Sequence, residues 1–219
     1  MIPPADRRFL HMREVLKAKP GDSFAAGILN ESRGALSVVS IEAGGLHAQY
    51  LPQEGIEEPL FDLVLAMPRP KVMHRLWEDL ASLGVGKIVL VNAARVEKCY
   101  FDSHWLCEST WRPLLIRGLE QSGGVAMPEV VVRRALKPFI EDELDAMFRD
   151  SPRYIAEPGD NPKSPFGGRP LVAVGPEGGW VQYELDMFAA AGFRRFSLGW
   201  RTLRTEVACA AIAGCLTRV

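Results

Sequence analysis

From residue 61 onward, short apolar runs alternate with stretches that carry apolar residues at helical spacing. The stretch 72–83 places Met73, Leu76, Trp77 and Leu80 on one helical face. The run 88–91 is wholly apolar, which is typical of a strand covered on both faces. The pattern predicts strands at 63–66, 88–91, 130–132, 154–157, 171–174 and 196–198, and helices at 72–83, 109–121, 139–148, 181–191 and 205–216. Repeated β-α units of this kind indicate an α/β fold with a mostly parallel sheet.

Two proline-bearing stretches qualify this pattern. Pro113 fits the helix at 109–121 only if it lies in the first turn, because a later proline removes a backbone hydrogen bond. The stretch 161–168 is rich in proline and glycine, which predicts a loop between two of the strands.

The first fifty residues follow a different pattern. Apolar runs at 22–29, 36–41 and 46–51 are separated by clusters of turn residues, and a helix is predicted at 9–17. Short strands at this spacing indicate a small barrel or sandwich. A segment with two prolines and three acidic residues, 52–59, separates the two patterns. We therefore predict two domains, 1–57 and 58–219.

Composition excludes several classes of protein. The 219 residues contain no apolar run of the roughly 18 residues that cross a bilayer, and no secretion signal begins the chain. The four cysteines lack CxxC spacing, so we expect free thiols in the cytoplasm. Cys99, His104 and Cys107 have no regularly spaced fourth ligand, so we expect no metal site. The net charge of −1 argues mildly against RNA binding, although local patches set the field at a site.

The segment Gly175-Pro176-Glu177-Gly178-Gly179 lies between a predicted strand and a predicted helix. Glycines there allow close approach of a ligand to the backbone. No Lys-Ser/Thr pair follows, so the segment is not a phosphate loop, and it lacks the spacing of a dinucleotide fold. By itself it is equally compatible with a plain strand-to-helix turn and with a ligand-binding loop.

A second segment, 198–206, favours the ligand-binding interpretation. Arg201 and Arg204 follow a strand at the sheet edge where open α/β folds bind ligands. Thr205 is predicted as the N-cap of the last helix and Glu206 as a first-turn carboxylate, two features that also have a purely structural explanation. The helix that follows is apolar on all sides, so it must be buried in its domain or against a partner.

Together these motifs resemble those of the bacterial 16S ribosomal RNA uracil-N3 methyltransferases of the SPOUT superfamily. The resemblance rests on Val174-Gly175-Pro176-Glu177-Gly178-Gly179 and on Leu198-Gly199-x-Arg201-x-Leu203-Arg204-Thr205-Glu206. Supporting stretches are Ser82-Leu83-Gly84-Val85, Glu120-Gln121-Ser122-Gly123 with Pro128-Glu129-Val130, and His11 with Val15-Leu16-Lys17 and Gly21-Asp22. The resemblance thus spans nearly the whole chain.

The resemblance implies a parallel-sheet domain with a deep trefoil knot, preceded by a PUA-like β-barrel that helps to bind RNA, and a homodimer. The implied cofactor is S-adenosylmethionine, and the implied substrate is 16S rRNA in the small ribosomal subunit. The residues expected at the cofactor are Ala156, Glu157, Pro158, Val174, Gly175, Pro176, Gly178, Gly179, Leu198, Gly199, Thr202, Leu203 and Arg204.

The implied reaction is attack by uracil N3 on the methyl carbon of the cofactor, with loss of the N3 proton. Arg204 or Arg201 is expected to stabilise the developing uracil anion, and Glu206 to orient one of them. No sequence feature identifies a general base. For phosphate contacts the candidates are Arg7, Arg8, Arg13 and Lys17, each of which is otherwise a solvated surface charge.

Three positions depart from the family pattern. Asp79 stands where relatives usually carry lysine, Gly124 where they carry arginine, and Val207 where they carry threonine. The first two changes remove positive charge, whereas the cofactor motifs are intact. Two alternatives therefore stay open: a knotted methyltransferase with another RNA target, and a non-catalytic RNA-binding relative.

Overall fold

The computed structural model describes residues 1–159 and 166–217, which divide into two compact units. The first comprises Met1–Glu57 with Gly123–Ala126, and the second comprises Glu58–Ser122 with the remainder of the chain from Met127. The predicted loop at 161–168 lies, up to residue 165, outside the described residues. None of the described helices is both long and apolar enough to cross a membrane.

The first unit contains an antiparallel sheet of three strands in sequential order, β1 (Ser23–Ile28), β2 (Ser32–Glu42) and β3 (Gly45–Gly55). All three apolar runs therefore form strands, but β2 and β3 continue well beyond the apolar residues. Before the sheet, the short helix α1 (Arg7–Leu10) continues as a π-helical turn (His11–Val15), where a single helix over 9–17 was predicted. Five buried side chains form the core of this unit: Phe9, Met12, Ala18, Val38 and Leu46.

The second unit contains a six-stranded sheet in which every pairing is parallel. Its strands are β4 (Phe61–Ala66), β5 (Val85–Val91), β6 (Glu129–Arg133), β7 (Arg153–Ala156), β8 (Leu171–Val174) and β9 (Arg194–Phe196). Their order across the sheet is β6-β5-β4-β8-β7-β9. The predicted parallel α/β sheet is therefore confirmed, and its central strands β4 and β8 are buried along their whole length.

The helices of this unit are α2 (Pro70–Ser82), α3 (Glu108–Ser122), α4 (Leu136–Pro138), α5 (Leu144–Met147), α6 (Gln182–Ala190) and α7 (Thr205–Leu216). Short 3-10 turns cover Lys98–Asp102 and His104–Leu106, and a π-helical turn, Phe139–Glu143, joins α4 to α5. The predicted face of α2 is buried, with Met73, Leu76, Trp77 and Leu80 all fully covered.

Two details differ from the sequence prediction. Pro113 is the sixth residue of α3 and not a first-turn residue, but its missing N–H removes only the bond to Ser109, near the start of the helix. The last strand lies at Arg194–Phe196, two residues before the predicted 196–198. The Phe196 carbonyl still accepts a bond from the Glu157 N–H, at 3.0 Å, but the chain then turns at Ser197.

Candidate active site

The loops that follow β7, β8 and β9 line one pocket. Because these three strands are neighbours in a parallel sheet, their carboxyl ends meet at the same edge. The pocket contains about 620 Å³ of space, part of it open to solvent. Its lining residues are Ala156, Glu157, Pro158, Val174, Gly175, Pro176, Glu177, Gly179, Leu198, Gly199, Arg201, Thr202, Leu203, Thr205 and Ala208.

The turn after β8 depends on two of its glycines. A Cβ on Gly175 would lie 3.0 Å from Nε1 of Trp180, a side chain that is itself buried and packed edge-on against Phe188. Gly179 has φ +72°, in the left-handed region that side chains disfavour, and its N–H donates to the Pro176 carbonyl at 2.7 Å. The turn therefore presents backbone, with no side chain at either position, to the pocket.

Gly178 is the one predicted residue of this turn that does not line the pocket. Its carbonyl accepts a hydrogen bond from Arg95, on the loop after β5. Glu184 makes a second link between the same elements, because its carboxylate accepts the N–H groups of Ala94 at 2.7 Å and of Val181 at 2.9 Å. The glycine turn is thus fixed from outside the pocket.

Ser197 connects the first and third loops of the pocket. Its hydroxyl donates to the Gly159 carbonyl at 2.8 Å, and its oxygen accepts the Gly199 N–H at 3.0 Å. The Gly159 N–H in turn donates to the Gly199 carbonyl at 3.1 Å. These bonds hold the chain after β9 against the chain after β7.

The start of α7 differs from the prediction for Thr205. The N-cap is Arg204, whose backbone is extended at φ −67° and ψ 153°, and Thr205 is the first helical residue. The Thr205 side chain is buried at the pocket wall and caps nothing, so the N-cap assignment was wrong. Glu206 does lie in the first turn, as predicted.

The predicted catalytic residues occupy different positions around the pocket. Arg201 lines it, whereas Arg204 is exposed and lies outside the lining set. Within the described chain, Glu206 forms no ion pair with either arginine, and its carboxylate lies instead near Asp79 of α2. Partial desolvation, Glu78 and Glu206 raise the pKa of Asp79, and Arg75 opposes the shift.

Glu157 is the carboxylate of the pocket lining that is most affected by burial. Desolvation raises its pKa, and the positive charge of Arg195 only partly opposes this effect. A half-buried carboxylate at this position favours a cationic ligand, since a cation would offset the unfavourable burial of the charge.

Several residues at the site were not among the individual residues expected there, although Glu177 and Thr205 belong to the predicted motif segments. Thr205 and Ala208 of α7 line the pocket, and Glu177, which lines it too, pairs with Arg69 at 3.4 Å. Arg69 and Arg95 follow β4 and β5 at the same edge of the sheet as the glycine turn. Both arginines could have been predicted from their positions after strands that end beside the pocket. That prediction requires the order of the strands in the sheet, which a sequence pattern does not contain.

The basic residues predicted to contact RNA lie in the first unit, in and just after α1. All four are exposed, but Arg8 pairs with Asp6 at 2.6 Å and Arg13 with Glu14 at 2.6 Å. Hydrogen bonds from Arg8 lower the pKa of Asp6 to about 2. Cys99, His104 and Cys107 form no metal-binding group, and neither do other His, Cys, Asp or Glu side chains within 1–159 and 166–217.

Comparison with known proteins places this chain among RNA-modifying enzymes. Residues 57–217 match the family model described as an RNA methyltransferase domain. The ribosomal RNA small subunit methyltransferase E of Treponema pallidum is 34% identical over 217 residues, which cover 95% of this chain and 82% of that protein.

Two solved structures share the fold at 23% identity. A probable rRNA methyltransferase from Porphyromonas gingivalis superposes with a TM-score of 0.74, covering 97% of this chain and 90% of that one. The ribosomal RNA small subunit methyltransferase E from Neisseria gonorrhoeae, solved with S-adenosylmethionine, gives 0.73, with 96% and 89% covered. This chain belongs to the RNA methyltransferase domain family, and within it to the ribosomal RNA small subunit methyltransferase E family.

Proposed function

We propose that this chain transfers a methyl group from S-adenosylmethionine to N3 of a uracil in 16S rRNA of the small ribosomal subunit, in the cytoplasm. The observation that carries the proposal is the single pocket formed by the loops after β7, β8 and β9. In a chain of this family, all three cofactor motifs that the family resemblance implies converge there. Uracil N3 as the acceptor atom rests on that resemblance.

The residues of the pocket fit the proposed cofactor. Its lining combines apolar side chains with free backbone at the glycine turn, the mixture that small-molecule sites use. Leu198, Leu203 and Ala208 offer apolar contact, and the backbone of Gly175 faces the pocket with no intervening side chain. The half-buried carboxylate of Glu157 would favour a positively charged cofactor, since such a charge offsets the burial that raises its pKa.

S-adenosylmethionine, when bound, supplies a methyl carbon on a positively charged sulfur that leaves as a neutral thioether. In the proposed transfer, uracil N3 would form a bond to this methyl carbon as the carbon–sulfur bond breaks, and the N3 proton would pass to solvent or to a base. The pocket's main contribution is to position the two reactants, which can lower a barrier by roughly 7–11 kcal/mol in the best cases.

Two arginines supply the electrostatic part of this proposal. Loss of the N3 proton leaves negative charge on the uracil, and we infer that Arg201, which lines the pocket, stabilises it. Arg204, at the N-cap of α7, would reach the same charge from the rim, with Glu206 orienting it once substrate is bound.

The finer architecture is also a proposal. We infer that the second unit has the trefoil knot of the SPOUT superfamily. In this knot, α7 and the segment 197–204 before it would pass through a loop formed by an earlier part of the chain. The inference is supported by the bonds of Ser197 and by the packing of α7 against β8 and α2. We infer that the first unit is a PUA-like barrel of which β1, β2 and β3 form a part, and that it binds RNA through Arg7, Arg8, Arg13 and Lys17.

A homodimer is supported by the composition of α7. From Val207 onward the helix is apolar, yet its own unit buries only one side, with Ala208, Cys209, Ile212 and Ala213 covered. Val207, Ala210 and Gly214 are exposed. Burial also raises the pKa of the Cys209 thiol to about 12, so this cysteine acts as an apolar core residue. A second copy of the chain would cover the exposed side.

The test is methyl transfer to isolated small subunits from a strain that lacks the protein, with the modified nucleoside identified by mass spectrometry. We expect one N3-methyluridine per subunit. Arg204→Ala is expected to lower kcat by about 100-fold without changing cofactor affinity, and Arg149→Ala, an exposed arginine outside the pocket, serves as the control.

Other products of the same assay would contradict the proposal. A methylated ribose or another methylated base would establish a different RNA target. Cofactor binding by calorimetry without any transfer would establish a non-catalytic RNA-binding relative. Full transfer by Arg204→Ala would remove that residue from the mechanism.

A further inference from the structure

Trp200 is unusually exposed for a tryptophan. Of all Phe, Tyr and Trp side chains in the described chain, only Tyr183 and Trp200 are exposed, and Trp200 has 67% of its surface accessible. Leaving so large an apolar ring in water forgoes a substantial hydrophobic gain on folding. Trp200 contributes little to the core of its unit, so its position suits contact with a ligand or a partner.

The residues on both sides of Trp200 line the candidate cofactor pocket. Gly199 precedes it and Arg201 follows it, and both belong to the lining set, whereas Trp200 does not. The indole ring therefore lies at the rim of the pocket and not inside it. A ligand that contacts this ring would be adjacent to the cofactor.

The rim segment is held in place by contacts within the chain. Ser197 binds both Gly159 and Gly199, which fixes the backbone immediately before Trp200. The Arg201 guanidinium carbon lies 4.5 Å from the centroid of the Trp200 ring, a cation–π contact. This contact orients the ring, and Trp200 as a whole still has 67% of its surface accessible for contact with another planar group.

We propose that Trp200 stacks on a nucleobase of the substrate RNA next to the uridine that is methylated. This inference rests on the proposed function. A base that reacts within folded RNA must leave its stack, and the neighbouring bases then lose a stacking partner. An exposed aromatic ring beside the pocket replaces that partner, and Arg201 adds positive charge beside the RNA backbone.

The chemistry of the pocket rim favours a nucleobase over a second copy of the chain. The exposed apolar side of α7 already offers a surface for a second copy, at Val207, Ala210 and Gly214. Trp200 differs from that surface because a guanidinium is stacked on it, and a flat cation–aromatic pair matches RNA, which has planar bases and anionic phosphates.

The test uses the full-length protein with Trp200→Ala, Trp200→Phe and the control Tyr183→Ala, which removes the other exposed aromatic ring. For Trp200→Ala we expect kcat/KM towards small subunits to fall by about 10-fold or more, with cofactor affinity by calorimetry within about 2-fold of wild type. Trp200→Phe should recover most of the loss because it retains a ring. Tyr183→Ala should match wild type.

A second readout does not depend on methyl transfer. A uridine-rich oligonucleotide is expected to quench the tryptophan fluorescence of the wild-type protein, and Trp200→Phe should abolish most of that quenching. Trp77 and Trp180 are buried, and the half-buried Trp105 and Trp111 lie outside the pocket lining, so these four contribute little to a contact signal at the rim. Transfer that fails in wild type while quenching persists would overturn the proposed function and leave the stacking contact standing.

Three results would overturn the stacking role. One is a Trp200→Ala protein with kcat/KM within about 2-fold of wild type. Another is a decrease in kcat/KM that Trp200→Phe does not restore. The last is a Trp200→Ala protein that sediments as a smaller species than wild type at the same concentration, which would assign the ring to contact with a second copy.

Discussion

The two compact units of the chain differ in how much buried apolar surface supports each. The core of the first unit contains five buried hydrophobic side chains, and that of the second contains forty-two, counted over residues 1–159 and 166–217. Stability from apolar burial grows with domain size, so the first unit is expected to be the less stable of the two.

This difference matches what each unit is proposed to do. Methyl transfer requires reacting atoms held within a fraction of an ångström, and the pocket accordingly lies at the ends of β7 and β8, strands that are packed in the large core. Contact with RNA phosphates tolerates looser placement, because a charge acts over several ångströms. The four basic residues proposed to contact RNA are exposed and lie in or just after α1.

The same substitution in each core provides the sharpest contrast. Leu46 of β3 and Leu65 of β4 are both fully buried, and Leu→Ala at such positions costs about 2–5 kcal/mol. We expect Leu46→Ala to unfold the first unit alone and to leave cofactor affinity unchanged. Leu65→Ala should destabilise the second unit and weaken cofactor binding. Hydrogen exchange measures the stability of each unit, and calorimetry measures cofactor affinity. Together they distinguish the effects of the two variants.

The contrast fails if Leu46→Ala lowers hydrogen-exchange protection equally throughout β4 and β8. In that case the two units unfold together, and the smaller core of the first unit does not make that unit less stable than the second.

Gly175→Ala probes the glycine turn within the large unit. The new Cβ would lie 3.0 Å from the Trp180 indole, which is buried against Phe188 and has little room to move. Overpacking of this kind costs about 1–3 kcal/mol, so we expect about 10-fold weaker binding of S-adenosylmethionine by calorimetry. Gly167→Ala is the matched control, because its Cβ meets nothing within 4 Å. Equal affinity for the two variants would exclude the close approach at Gly175 as a determinant of the site.

Much of the large unit was predictable because its signals are local. The apolar face of α2 and the run that forms β8 need only the spacing of residues along the chain. The start of α7 was harder, since Thr205 satisfies the chemical requirement for an N-cap and only the backbone of Arg204 shows where the helix begins. Strand order, and with it the position of Arg95 beside Gly178, depends on contacts far apart in sequence.

In the small unit the limits of prediction were different. The apolar runs located its three strands, but β2 and β3 extend into polar residues, because strand pairing continues wherever the partner backbone is available. Arg8 and Arg13 were predicted to contact RNA phosphates because of their charge alone. Their ion pairs with Asp6 and Glu14 depend on side-chain positions that a sequence pattern does not contain.

Removal of charge near α1 tests the role proposed for the small unit. We expect the triple variant Arg7→Gln, Arg13→Gln and Lys17→Gln to weaken binding to small subunits about 3- to 10-fold at physiological salt. The slope of log affinity against log salt should also become shallower, by about 0.7–0.9 for every phosphate that is no longer neutralised. A salt titration of binding measures both effects. The control removes equal charge from the second unit, by Arg112→Gln, Lys137→Gln and Arg149→Gln. A salt slope equal to that of wild type would argue against phosphate binding by this segment.

The smallest effect is expected at Asp79 of α2, in the large unit. Desolvation and the carboxylates of Glu78 and Glu206 raise its pKa, so the charged form is disfavoured in the folded state, with Arg75 as the opposing charge. This unfavourable contribution is fully present above the raised pKa and disappears below the ordinary value of 3.8. Asp79→Asn should therefore raise the free energy of unfolding at pH 7 by less than about 1 kcal/mol, because Asp79 is exposed and solvent screens the repulsion. Asp79→Lys should raise the free energy of unfolding slightly more than Asp79→Asn does, since it places a cation beside Glu206.

Thermal unfolding measured from pH 7 to pH 3.5 tests this prediction, with Asp150→Asn as the surface control. The stability gained by Asp79→Asn should shrink as the pH falls. A gain that is independent of pH would mean that the repulsion between these carboxylates is not its cause.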